Sequence, residues 1–334
     1  MALDYPLIWA GLIAFAVLAY VVLDGFDLGV GILFLWMDGE RNRDQMMNSV
    51  APVWDGNETW LVLGGGGLLA TFPLAYAIVL PALYAPIYAM LLALTLRGVA
   101  FEFRWRTTRG KFLWDWAFCG GSTMAAFAQG VALGALVQGI PVNGRAYAGG
   151  WWDWLTPFSI LSGVALVAGY ALLGSTWLLM KGTGEVEAKA RTWAKLSGLA
   201  TLAMIGAVSL WTPFLSPVFM ARWFAFPAFL YVAYVPILTL ACAWALWRGL
   251  DKGPAALPFF AALGLFVLCY LGLGISFFPY IVPPSVTIWQ AAAPDASLRF
   301  LLVGAVVLVP MILAYTAYSY WVFRGRVDPE AGYH

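Results

Sequence analysis

Apolar residues run along this chain in blocks of about twenty or more, at about 7–36, 52–73, 76–98, 117–139, 156–180, 196–217, 223–248, 256–278 and 299–323. A helix needs about 20 such residues to cross a hydrocarbon layer roughly 30 Å thick. The pattern therefore predicts nine membrane-spanning helices, with ends set to within a few residues. The blocks do not alternate polar and apolar positions, which excludes the strands of an outer-membrane barrel. The first block carries acids within it and lacks a basic leader, so it reads as a retained helix and not a cleaved signal peptide. The longest stretch between blocks on the outer side, about 279–298, is too short for a separate soluble domain. Residues 1–334 are expected to form a single integral-membrane domain, all-α and polytopic, with neighbouring helices antiparallel.

Composition agrees with the pattern. Of 334 residues, 63% are hydrophobic and 10% charged, against about 45–50% and about 25% in soluble domains. Mean hydropathy is +0.82. A soluble globular enzyme and a disordered chain are both excluded. The net charge of +1 gives no electrostatic case for nucleic acid. Cys119, Cys242 and Cys269 are scattered through apolar segments without a CxxC, and read as buried thiols. The one histidine is His334, the last residue. No metal site is expected here, because histidine is the commonest metal ligand and a frequent heme ligand.

Charge placement sets the orientation. With the N-terminus outside, only Arg145, Arg222 and Arg299 of the 18 basic residues fall on the outer side. Positive charge favours the cytoplasmic side, so the expected topology is N-terminus out and C-terminus cytoplasmic. The outer side instead carries Trp151, Trp152 and Trp154, rings that prefer the headgroup zone.

Charges at membrane depth cost about 2.5–3.5 kcal/mol each, so the exceptions inform. Asp24 and Asp27 lie in LDGFDLGVG of the first span, three residues apart and so on one face. Gly25, Gly29 and Gly31 thin the helix there, allowing close packing or water. The acids are either a structural pair bonded to a neighbouring helix or a proton or ligand site. Asp55 and Glu58, in APVWDGNETW, repeat the spacing at the start of the second span. Asp55 is either a first-turn acid favoured by the helix dipole or a carboxylate at the mouth of a hydrophilic inlet. By helical rise, Asp27 lies roughly 14 Å and Asp55 roughly 6 Å from the inner end. The four acids are expected to gather near the inner leaflet, where close, desolvated carboxylates share protons. Arg97, in RGVAFEFRWR, is either their counter-ion or a cytoplasmic anchor, and Glu102 is equally ambiguous. Trp60 is expected to be buried. Gln129 and Gln138 read as interhelical hydrogen bonds, and Gly64 to Gly67 as a helix-packing or ligand-contact run. No interior histidine exists for a Ser-His-Asp set, and no phosphate-binding loop is present.

Taken together, DGFDLGVG and APVWDGNETW resemble the second subunit of cytochrome bd-type quinol oxidases. RGVAFEFR, the WDW at 114–116, FFPYIVPPS and VPMILAYTAYSYW fit the same family in order, so the resemblance spans nearly the whole chain. The NETW and FEFR forms look closest to the cyanide-insensitive branch. The resemblance implies nine helices as two four-helix bundles plus one peripheral helix, in the bacterial cytoplasmic (inner) membrane. It implies pairing with a larger subunit I that carries two b hemes and one d heme, with none ligated by this chain. The pair oxidises quinol and reduces dioxygen to water; this chain alone is not expected to be catalytic. The aspartate of the WDGN motif, here Asp55, is linked to a cytoplasmic proton path, and Asp24 and Asp27 to the same polar region. Glu58 stands where some relatives have glutamine and inherits no fixed role. The tryptophan ending the motif, Trp60, is associated with an oxygen channel. Some members bind a structural quinone in this subunit, and some complexes carry a small single-helix accessory subunit; neither has a specific signature here. Membrane lipid and quinol are the remaining partners implied. The competing function on the residues alone is a proton-coupled secondary transporter, using the acids as coupling sites. Such folds often show inverted repeats and paired broken helices, neither of which is evident in the sequence.

Overall fold

The computed structural model describes residues 3–327; His334 lies outside them. The chain is helical almost throughout. Helix α1 (Tyr5–Leu33) runs into a short 3-10 turn and is followed by α2 (Glu40–Asn48), α3 (Trp54–Thr71), α4 (Pro73–Ala82), α5 (Tyr84–Arg106) and α6 (Lys111–Gln138). After a small hairpin come α7 (Pro157–Lys181), α8 (Gly184–Trp211), the short α9 (Pro217–Phe224) and α10 (Ala228–Val232), α11 (Tyr234–Lys252) and α12 (Ala256–Phe277). A second hairpin and the one-turn α13 (Ile288–Ala291) lead to α14 (Asp295–Val322). The hairpins pair Val142 with Tyr147 and Tyr280 with Thr287.

Local chemistry sets several of these boundaries. The Asp4 carboxylate accepts from the Leu7 N–H at 3.0 Å and starts α1, with Pro6 in the first turn. Thr156 and Ser159 form a reciprocal capping box at α7, again beside a first-turn proline. Between α3 and α4 the helix axis turns by 120°. Pro73 supplies no N–H and disfavours helical geometry at Phe72, which sits at φ −130°, ψ 60°. The carbonyl of Thr71, released from the ladder, accepts from the Ala293 N–H at 2.8 Å.

This break corrects the sequence reading. The third apolar block, expected as one helix over 76–98, is divided: its first residues belong to the tilted α4, and the spanning helix α5 starts at Tyr84 and runs on to Arg106. The membrane helices α6 and α8 also begin earlier than expected, at Lys111 and Gly184. Among the described residues, eight helices are long and apolar enough to cross a membrane, or nine if the bent α3–α4 pair counts as one.

Helix α1 packs against α3, α6 and α7, and α7 in turn against α8 and α12. Glycines allow the closest of these approaches. A Cβ on Gly29 would lie 1.9 Å from the Tyr170 carbonyl, and one on Gly174 would meet Gly29 at 2.2 Å, so α1 and α7 cross backbone to backbone. A Cβ on Gly31 would strike the Ser122 hydroxyl of α6. The glycine run in α3 is divided by face: Gly64 and Gly67 lie against Val17 and Ile13 of α1, whereas nothing approaches Gly65 or Gly66.

Helix α14 is held mainly near its ends. At one, the Trp9 indole donates to the Leu298 carbonyl at 2.9 Å. At the other, the Lys181 ammonium, ending α7, donates to the carbonyls of Phe323 (2.5 Å) and Gly325 (3.0 Å) just beyond α14. Lys181 is 7% exposed and also lies over the Trp177 ring. Arg326 pairs with Glu187 at 2.7 Å. These contacts bring the ends of α7, α8 and α14 together with the α1–α2 connection, where Lys189 pairs with Asp38 at 2.6 Å. Most basic loops therefore share one end of the molecule.

Candidate functional site

The site is built on the α1–α7 crossing. Because Gly29 and Gly31 draw α1 tightly against α7 and α6, the acids one turn earlier are removed from the surface: Asp24 and Asp27 are both 0% exposed. Arg97 of α5, also 0% exposed, answers Asp24 with a bidentate contact, Nη1 to Oδ2 at 3.0 Å and Nη2 to Oδ1 at 2.8 Å. Paired planar contacts of this kind are the strongest carboxylate–cation geometry. The same guanidinium reaches Glu58 of α3 at 3.4 Å and lies 6.0 Å from the Trp54 ring centroid. Extension of α5 to Arg106 leaves Arg97 more than two turns inside the helix end.

Asp27 does not touch Arg97 through any hydrogen bond; it belongs to a second, neutral set. The Asn57 amide donates from Nδ2 to Asp27 Oδ2 at 2.7 Å and to the Leu23 carbonyl at 3.2 Å. Its Oδ1 accepts from the Tyr320 hydroxyl of α14 at 3.0 Å. Asp27 Oδ1 has no hydrogen-bond partner among the described residues. On the other side of Asp24, one turn back along α1, the Tyr20 hydroxyl accepts from Gln129, whose Oε1 accepts from Tyr170. Gln129 is thus an interhelical hydrogen bond, as expected, and Gln138 accepts from Thr156 at 2.5 Å.

Asp55 departs from the expected four-acid cluster. Its side chain is exposed, while Glu58 one turn on meets Arg97 at 3.4 Å. The spacing of three residues puts both on roughly one side, but the edge of that side separates them. Trp60 is 0% exposed, with its ring edge-on to Phe15 at 5.6 Å. An apolar cavity of about 20 Å³ lies beside it, lined by Phe15, Ala16, Leu63 and Val309 among others. Glu102 is exposed and only 3.9 Å from Arg106.

Sequence reasoning missed a second ionic network. Arg104, wholly buried, bonds Asp115 and Asp44 at 2.6 Å each, and Arg43 reaches Asp115 at 3.0 Å. Lys111 pairs with Glu40 and approaches Asp44 at 3.7 Å. These cations had counted only toward orientation. Asp115, between the two tryptophans of WDW, was the available signal: a lone acid inside an aromatic pair. Asn57 and Tyr320 were also passed over, although each is a polar residue within an apolar or acidic motif already singled out.

The donor set does not suit a heme or a metal ion. No group of three His, Cys, Asp or Glu side chains able to hold a metal occurs among the described residues. None of those residues is a histidine, and the fully buried methionines Met37, Met46 and Met47 are core packing. Cys119, Cys242 and Cys269 are half-buried free thiols.

Fold and site define a polytopic helical membrane protein that encloses a buried cluster of acidic side chains around one arginine. Its relatives identify the kind. The family model described as cytochrome bd terminal oxidase subunit II matches residues 5–323, and the chain belongs to that family. It is 32% identical to Cytochrome bd-I ubiquinol oxidase subunit 2 of Escherichia coli K12, across 98% of this chain and 97% of the relative. It is 30% identical to Cytochrome bd ubiquinol oxidase subunit 2 of Bacillus subtilis 168, across 96% of each. The bd oxidase structure from Geobacillus thermodenitrificans shares the fold, with a TM-score of 0.73 at 16% identity over 96% of this chain and 99% of that one.

Proposed function

We propose that this chain, a multi-pass inner-membrane subunit of a respiratory quinol oxidase, supplies the cytoplasmic proton path of the complex. Subunit 2 implies a subunit I, and we assign to that partner two b hemes and one d heme, where quinol is oxidised and oxygen reduced to water. The hemes carry electrons and hold oxygen; the residues of this chain move protons. Nine spans in one integral-membrane domain, with the N-terminus outside and the C-terminus cytoplasmic, fit the gathering of basic loops at one end. Two four-helix bundles, α1/α3/α5/α6 and α7/α8/α11/α12, with α14 peripheral, fit the close pairing of α5 with α6, α1 with α3, α7 with α8 and α11 with α12, the two sets meeting where α7 packs on α1 and α6.

The observation that carries the reading is one guanidinium facing three carboxylates at membrane depth. Arg97 offers a single positive charge to Asp24, Asp27 and Glu58. A fully ionised set would leave a large uncompensated negative charge in a region where even one is costly. Such a set holds protons and exchanges them. Asp55, exposed in the first turn of α3, collects a proton on its carboxylate. Glu58, one turn further in, receives it, and Asp24 and Asp27 hold it beyond. Arg97 keeps its charge throughout and fixes the carboxylate positions. Trp60 and the adjoining apolar cavity fit an oxygen channel, since oxygen partitions into dry, apolar space.

The test is Asp55→Asn in the assembled oxidase. Quinol oxidase turnover is expected to fall while the heme spectrum and subunit assembly stay normal. Unchanged turnover overturns Asp55 as the point of entry, and unchanged turnover in Asp24→Asn and Asp27→Asn as well overturns the reading.

A further inference from the structure

A cavity of about 10 Å³ separates the first turn of α3 from α14, lined by Val53, Gly56, Asn57, Thr316, Ser319 and Tyr320 among others. That is the room one bound water occupies. Its lining includes Asn57 and Tyr320, which are hydrogen-bonded to each other, and Asn57 in turn holds Asp27. Two oxygens in this region have no hydrogen-bond partner among the described residues, Thr316 Oγ1 in the cavity wall and Asp27 Oδ1 behind Asn57. Buried polar oxygens are seldom left unpaired, and a bound water commonly satisfies them. The cavity also lies at the end of the molecule where water is near: Ser319 is three residues before the end of α14, and Val53 precedes the first residue of α3.

We infer that this cavity binds water and is a second proton inlet, leading to Asp27 past the hydroxyls of α14 rather than through Asp55. The inference rests on the proton-path reading above and names where one branch begins. Asn57 is a positioning residue. Its amide grips Asp27 Oδ2 and so leaves Oδ1 as the oxygen that accepts. An amide does not itself relay a proton, so the proton passes beside Asn57, along water. A proton that binds the cavity water is handed on to water beside Asn57 and from there forms a new O–H bond on Asp27 Oδ1, leaving each water neutral again. The reverse step restores the carboxylate. No electron moves and no other bond breaks.

The test uses the complete oxidase reconstituted in vesicles, with proton uptake from the cytoplasmic side timed during oxygen reduction. Thr316→Val keeps the shape of the side chain and removes only the hydroxyl. Uptake is expected to slow about two- to tenfold, the worth of one lost hydrogen bond to the water. Gly56→Ala places a methyl 3.7 Å from the Tyr315 ring, an ordinary contact, and takes up the room of the water. It is expected to slow uptake without lowering thermal stability, since alanine favours the helix over glycine. A purely structural role for these residues would move stability and not uptake. Wild-type uptake in both variants, with Asp27→Asn still slow, overturns the inlet and leaves the acid path standing. Wild-type uptake in Asp24→Asn, Asp27→Asn and Asp55→Asn alike overturns the path and the inlet together.

Discussion

Arg97 is the residue whose loss is expected to cost most. It is wholly buried, holds Asp24 through two contacts of 3.0 and 2.8 Å, and stands 3.4 Å from Glu58. Removing one partner of a buried ion pair typically costs about 3–5 kcal/mol, because the other charge is stranded. Arg97→Met strands two carboxylates and belongs at the top of that range, about 5 kcal/mol. Asp24→Leu leaves the guanidinium with Glu58 and belongs at the bottom, about 3 kcal/mol, still roughly a hundredfold in an equilibrium constant. In the double variant the costs are expected to fall short of their sum by about 1–3 kcal/mol, as for residues in direct contact. Heat-inactivation midpoints and the yield of assembled complex in mild detergent would measure all three. The reasoning is refuted if Arg97→Met matches the wild type, or if the double variant is simply additive.

The backbone crossing gives a second expectation. Gly29→Ala drives a methyl into the Tyr170 carbonyl and should cost at least the about 1–3 kcal/mol of ordinary overpacking, seen as lost assembly. Gly206→Ala, with open space around it, should be tolerated; equal effects at both sites would refute the packing argument. At the basic end, the hydrogen bond and charge of Lys189 hold Asp38 below its ordinary 3.8, and those of Lys111 hold Glu40 below its ordinary 4.5. Depressed carboxylates stabilise above their unfolded values, and that contribution is lost as pH falls through the folded ones. The stability gap between the wild type and an Asp38→Asn/Glu40→Gln variant should therefore close as the pH is lowered past about 4; a gap that widens would refute it. Trp60→Ala should shift the apparent oxygen affinity if the ring borders the oxygen channel, whereas a packing role changes only stability.

A many-times membrane-spanning helical chain, with eight or nine candidate spans among the described residues, was legible because crossing a hydrocarbon layer demands long apolar blocks and little else matches them. The 120° turn at Phe72 was not. Pro73 was visible, but two adjoining apolar blocks carry no sign of which one a helix break divides. The acids of α1 and Arg97 were legible as exceptions to hydrophobicity, and the nearby glycines hinted at close packing. Which neighbour each would meet was not, since that depends on how α5 and α14 rotate against α1. Asp55 shows the limit of periodicity: a three-residue spacing puts it on the same side as Glu58, yet Asp55 is exposed and Glu58 meets Arg97. The Arg104–Asp115 network was hidden because basic residues at helix ends already had an explanation in orientation.

The clasp at Lys181 bears on how the chain is made. Its ammonium is buried against carbonyls supplied by Phe323 and Gly325, more than 140 positions later. During synthesis those acceptors do not exist until almost the whole polypeptide has been inserted. The crossings already inserted must wait with a lysine that has no protein oxygen to receive it, and which a dry interior would penalise. That end of the half-made chain is consequently held wet and loose, and it closes only when the final helix arrives. A product truncated within α14 would keep an open, hydrated corner, giving the cell's membrane proteases a physical mark by which to tell an unfinished subunit from a finished one.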